Sequence, residues 1–187
     1  MTMRSRNHET MKGQSDISFQ EAVRGLMAGD FSRLAPLFDT PSDGSPCWVI
    51  KWYEGGLFAS EPKALAEAFT CACFNGCTHV VEYLLARGAD PSGGINTGLN
   101  AFHWAANRGQ LKTVEILIQN KAPLETLNMY GGTVLGGTVW SAIHEPGPDR
   151  IRIIEALLNA GANVSAADYP SGDEGVDEVL RRHGATG

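Results

Sequence analysis

The chain lacks the features that mark a membrane, disulfide-bonded or nucleic-acid-binding protein. No stretch of its 187 residues approaches the roughly 18–20 consecutive apolar residues needed to cross a bilayer. Basic residues are scarce: 15 Lys and Arg stand against 21 Asp and Glu, a formal net charge of -6. A nucleic-acid backbone is held by clustered cations, so this balance argues against direct nucleic-acid binding. Cysteine is limited to four, and three of them are crowded between Cys71 and Cys77. That is not a disulfide framework for a chain of this size, and a reducing, cytoplasmic location is the expectation. Residues 1–16 are polar and without the apolar core of a secretory signal; they read as a disordered tail.

Catalytic signatures are also missing. Gly131-Gly132 and Gly136-Gly137 are not followed by the Gly-Lys-Ser/Thr of a phosphate-binding loop. His8, His144 and His183 are scattered, and none has a nucleophile or carboxylate placed beside it by motif. Cys71-x-Cys73-x3-Cys77-x-His79 holds zinc-ligand residue types, but its spacing is not the usual paired arrangement. Residues two apart on a helix point in different directions. Free thiols are the simpler reading. The expectation is therefore a chain with no catalytic residues, no metal and no cofactor.

What the sequence does contain is a repeat. Four segments align without gaps: VVEYLLARGA from Val80, TVEILIQNKA from Thr113, IIEALLNAGA from Ile153 and VDEVLRRHGA from Val176. Glu82, Glu115, Glu155 and Glu178 coincide, as do Leu84, Leu117, Leu157 and Leu180. Gly88 and Lys121 lie 33 residues apart, as do Gly76 and Gly109; the next steps are 40 and 23. One unit is thus lengthened and the last is shortened. Within each segment the apolar residues fall at i, i+1, i+4 and i+5, as at Val80, Val81, Leu84 and Leu85. That spacing predicts one buried helical face. Gly88 and Gly161 suit the left-handed residue that ends a helix, and Lys121 stands where that glycine is expected.

Asn100-Ala-Phe-His-Trp-Ala-Ala106 resembles the ankyrin signature T-P-L-H-x-A-A, with Asn100 for Thr and Ala101 for Pro. Together with the 33-residue period, the resemblance spans roughly Phe19 to Gly184. It implies an all-α ankyrin-repeat solenoid of about four to five helix pairs with β-turn tips. The implied units are a degenerate first repeat at 17–40, an aromatic insertion at 41–60, and repeats at 61–91 and 92–124. A lengthened repeat at 125–164 and a shortened capping repeat at 165–187 complete the domain of 17–187. Ser18-x-x-Glu21 is a capping box that opens the first helix, and a second runs from Phe31 to Phe38. Trp48 to Tyr53 reads as a short extended segment. A first helix is expected to reach about Ile143, and Asp149 is expected to cap the helix that follows. In the final unit Asp177 and Arg181 replace apolar residues, as a water-facing end requires.

The family's histidine, here His103, ties adjacent turns through backbone hydrogen bonds. Its binding strip runs along the turn tips and the ends of the first helices. Carried over, the strip comprises Asn96, Thr97, Leu99, Asn107 and Arg108; Met129, Tyr130, Trp140 and Ser141; and Phe74 and Asn75, with Lys63 at its margin. Aromatic, Met and Arg side chains of this kind are typical interface anchors. The resemblance implies a protein-protein interaction module, an adaptor or inhibitor, whose partner is another protein. Two other readings stay open. One is an acidic blocker of a nucleic-acid-binding protein, supported by the net charge of -6 alone; the run Asp168, Asp173, Glu174, Asp177 and Glu178 reads as a solvated end, with a basic partner as the alternative. The other is a small-molecule or metal-dependent activity at the Cys71–Cys77 cluster.

Overall fold

A computed structural model describes residues 17–94 and 96–187; the tail expected over residues 1–16 lies outside them. Among the described residues regular structure is entirely helical. The helices are α1 (Phe19–Ala28), α2 (Phe31–Leu34), α3 (Trp48–Glu54), α4 (Pro62–Asn75) and α5 (Thr78–Leu85). They continue as α6 (Ala101–Asn107), α7 (Leu111–Gln119), α8 (Val134–His144), α9 (Arg150–Asn159) and α10 (Glu174–Arg182). Successive helices α4, α6 and α8 pack as an inner layer, and α5, α7, α9 and α10 as an outer one. The α1–α2 pair closes one end against α4.

Local chemistry sets the helix ends. Ser18 and Glu21 form the expected capping box, with each side chain accepting the other residue's backbone N–H at 3.3 and 2.9 Å. Asn100, Thr133 and Asp173 cap α6, α8 and α10 by accepting the N–H three residues on. Lys121 takes φ 58°, the left-handed conformation that the repeat demands there despite the absence of glycine.

The outer helices bury the expected stripe: Val80, Val81 and Leu84; Val114 and Leu117; Ile153, Ile154 and Leu157. Each such side chain removed from water contributes roughly 1.5–3 kcal/mol. No unit buries this face alone, so the stack is the core. At its far end Asp177 is half-buried and accepts from the Ser171 N–H and hydroxyl, while Arg181 is exposed. The last unit has only the 3-10 turn Val164–Ala166 in place of an inner helix.

Hydrogen bonds between units accompany this packing. The Gln110 side-chain amide donates to the Phe74 carbonyl oxygen at 3.2 Å, and the Arg150 guanidinium donates to that of Ala106 at 2.7 Å. Both bonds reach carbonyls in the last turn of an inner helix, where intrahelical donors run out; Ala106 also accepts the Gly109 N–H at 3.0 Å.

Two local expectations are corrected. Trp48 to Tyr53 is helical, lying within α3, and not extended. A short apolar run carries no decisive period. Here the helical option buries Val49, Ile50 and Trp52 together, and Phe19 packs edge-on against Trp52 and Phe58 at 5.4 and 5.2 Å. Asp149 does precede α9 but makes no side-chain cap; its carboxylate pairs with Arg152 at 2.6 Å.

Truncating Leu117, which is fully buried, should cost about 2–5 kcal/mol as Leu117→Ala. Asn107→Ala should change stability by less than about 0.5 kcal/mol. Urea unfolding of both variants checks the contrast.

Candidate protein-interaction surface

The inner helices and the loops preceding them present one continuous face. Its floor begins with an aromatic group: Phe74 packs edge-on against Phe31 at 5.6 Å and against Trp104 at 5.1 Å. The Arg108 guanidinium lies 4.7 Å from the Phe74 ring centre, a cation–π arrangement that holds the charge over the floor. Farther along, Trp140 is 54% exposed and stacks on His144 at 4.4 Å. The turn before α8 carries Leu127, Met129 and Tyr130, exposed by 62%, 66% and 79%. An open cavity of about 650 Å³ lies between this turn and α8.

These tips are held in place. Asn128 Oδ1 accepts from the backbone N–H groups of Tyr130 and Gly132, and the Met129 N–H reaches the Gly98 carbonyl of the preceding loop at 2.9 Å. His103 is buried and bridges two units, with Nδ1 2.7 Å from Asn100 Oδ1 and Nε2 3.2 Å from the Gly132 carbonyl. Burial lowers its proton affinity, partly offset by the Gly132 and Thr126 carbonyls. The structural role expected of His103 matches this geometry.

The strip residues carried over from the repeat fall into two groups. Asn96, Arg108, Met129, Tyr130 and Trp140 are exposed, and Thr97, Asn107, Phe74 and Asn75 are half-buried along the same face. Lys63 is exposed in the first turn of α4. Leu99 and Ser141 are corrected: at 9% and 2% exposure they lie beneath the face and support it. Several half-buried members also bind within the chain. Asn75 donates to the Phe31 and Cys71 carbonyls, and the Thr97 hydroxyl accepts from the Trp104 indole at 2.9 Å.

Two contributors were missed by the repeat pattern. Trp104 occupies the unspecified position of the signature, where the pattern assigns no role. Glu67 is buried at 2% exposure, and its Oε1 accepts the Asn96 N–H at 2.9 Å while Oε2 has no partner. Burial raises its pKa, the Asn96 bond opposing. An acid in the middle of α4 carries no sign of this in sequence.

The cysteines offer little to a metal. Cys47, Cys71 and Cys73 are buried, Cys77 is half-buried, and all are free. Burial raises the thiol pKa values of Cys71 and Cys73 and takes Cys77 to about 11. The thiolate is the ligand form, and these sites disfavour it. Among the described residues no group of three or more His, Cys, Asp or Glu is arranged to hold a metal ion. No described helix is long and apolar enough to cross a membrane.

A family profile for ankyrin repeats in three copies matches residues 69–168, just over half of the chain. A similar protein is an ankyrin repeat protein of Acanthamoeba polyphaga mimivirus, 32% identical over 84 residues. The match covers 45% of this chain and 18% of that protein, so the chain spans less than a fifth of its relative's length.

Glu67 generates a pH prediction. Its folded pKa lies above the unfolded value, so its contribution is fully present below about 4.5 and is lost as pH rises through the folded pKa. Glu67→Gln keeps an acceptor for Asn96 and removes the buried charge. The variant should melt higher than wild type at pH 7.5 and converge with it near pH 4, as read by thermal denaturation. For the thiols, a chelator should leave the melting temperature of purified protein unchanged. One tightly held zinc per chain, with unfolding on its removal, would contradict the reading of Cys71, Cys73 and Cys77.

Proposed function

Because the chain belongs to the ankyrin-repeat family, we propose that it is a protein-protein interaction module whose inner-helix face and turn tips engage another protein. Ankyrin repeats generally serve in protein-protein interaction, and such chains are typically non-enzymatic. One observation carries the assignment to this face. Leu127, Met129, Tyr130 and Trp140 stand exposed together on it, large apolar side chains left outside the core. Clustered exposed apolar groups beside polar ones are the mark of an interaction surface. The proposed contacts are Asn96, Thr97, Asn107, Arg108, Met129, Tyr130, Trp140, Phe74 and Asn75. The partner is held as by an adaptor or an inhibitor. A reducing cytoplasmic setting suits the four free cysteines.

Rigidity supports the same reading. The tips are tied to each other and to the helices before any partner arrives, so little ordering is lost on binding. Arg108 adds a charge whose position over Phe74 is already set.

A combined Arg108→Glu, Tyr130→Ala variant tests the proposal against a partner captured from the native host. It should keep its melting temperature within a few degrees and lose the partner, since an amphipathic anchor contributes ~2 kcal/mol or more at a hot spot. Arg87→Glu is the control: that guanidinium lies 3.4 Å from the Tyr83 ring centre at the end of α5, off the proposed face. Titrations at fixed salt separate contact from steering. Wild-type affinity in the double variant would move the interface elsewhere, first to the insertion around Trp48, Trp52 and Tyr53.

A further inference from the structure

The cavity of about 650 Å³ beside α8 has a specific origin in the repeat. Thirty-three residues separate His103 from Gly136 and Trp104 from Gly137. The lengthened repeat therefore has glycine at both positions where the repeat before it has large rings. Gly136 is required by packing: a Cβ there would stand 2.6 Å from the Ala166 carbonyl oxygen. Gly137 is not. Its nearest neighbours would be Asn107 Oδ1 at 3.6 Å and Asn128 Nδ2 at 3.9 Å, ordinary contacts that leave room for a side chain. The cavity thus includes, at Gly137, the place that a ring takes one repeat earlier, and exposed Tyr130 and Trp140 border it.

The chemistry of the walls decides what fits it. Trp140 and Tyr130 line the cavity and supply aromatic faces. Asn107 is half-buried in the cavity wall; its Oδ1, 3.6 Å from where a Gly137 Cβ would stand, has no hydrogen-bond partner among the described residues. Asp168 lies at the lip, exposed, and its side chain forms neither an ion pair nor a hydrogen bond among the described residues. No Lys, Arg or His lines the cavity, and the chain carries a net charge of -6. A flat cation with several N–H donors matches this set of groups: it stacks on aromatic faces, donates to an amide oxygen and pairs with a carboxylate. A compact ammonium has no flat face to stack, and an indole or phenol brings one donor and no charge to two acceptors, one of them a carboxylate.

We infer that the slot between Tyr130, Trp140, Asn107 and Asp168 receives an arginine side chain of the partner protein. The inference rests on the interaction reading above and specifies the chemistry of its anchor.

The test uses the full chain, nitrogen-15 labelled, and the blocked tripeptide acetyl-Gly-Arg-Gly-amide, with Lys and Trp versions for comparison. The arginine peptide should shift the Trp140 indole N–H and the Gly137 amide saturably and leave the Trp48 and Trp52 indoles unmoved. Asp168→Asn should weaken it about fivefold to tenfold, the scale of a lost charge-assisted contact. Gly137→Leu fills the slot and should abolish the shifts while its melting temperature shows that the fold is kept. Equal or tighter binding of the Trp or Lys peptide, absence of saturable shifts, or shifts insensitive to both variants would overturn the assignment. The interaction reading is judged separately, by whether the Arg108→Glu, Tyr130→Ala variant loses its partner.

Discussion

Everything else in this fold depends on how closely its inner helices can approach. Ala68 and Ala72 on α4 and Ala105 and Ala106 on α6 are completely buried where α4, α6 and α8 pack in succession. A larger side chain at any of them would force neighbouring units apart, at roughly 1–3 kcal/mol per overpacked site. That spacing brings the outer stripes of Val, Ile and Leu into register, and it brings each loop within hydrogen-bond reach of the next. His103 can bridge to Gly132, and Met129 to Gly98, only because the helices behind them are close.

The same constraint makes the interaction face. An inner helix made narrow on its packing side carries its large groups at its solvent-facing end, where Phe74, Asn107 and Trp140 occupy equivalent positions 33 residues apart. Backbone ties fix the loops beside them, so the face is set before binding and not assembled by it. Glu67 shows the cost of this arrangement: a carboxylate is buried to hold the Asn96 N–H, and its proton affinity rises as a result. Functional surfaces commonly concentrate such compromises.

Much of this was legible in the residues. The 33-residue period, the capping box at Ser18 and the stripe at Val80, Val81 and Leu84 each follow from local rules, and the folded chain obeys them. Lys121 adopts the left-handed conformation its repeat position demands. The insertion at Trp48 was not legible, because a short run of large apolar residues suits a strand or a helix. Only the contacts to Phe19 and Tyr83 decide between them. Of the strip, exposed Tyr130 and Trp140 came from the repeat register. The burial of Ser141 and the role of Trp104 depended on which side of its helix each faces, and the burial of Leu99 on the path of the loop before α6. The slot at Gly137 required both register and three-dimensional packing, since glycine in a helix says nothing alone about the space beside it.

Hydrogen exchange of the chain, free and with its captured partner bound, tests most directly whether the inner-helix face is the interface. Binding should slow exchange in the turns around Asn96 and Thr97 and from Leu127 to Gly131, in the last turns of α4 and α6, and around Trp140 in α8. The outer helices α5, α7 and α9 should exchange at unchanged rates. Protection confined to those outer helices or to α3, with the turns unaffected, would contradict the account.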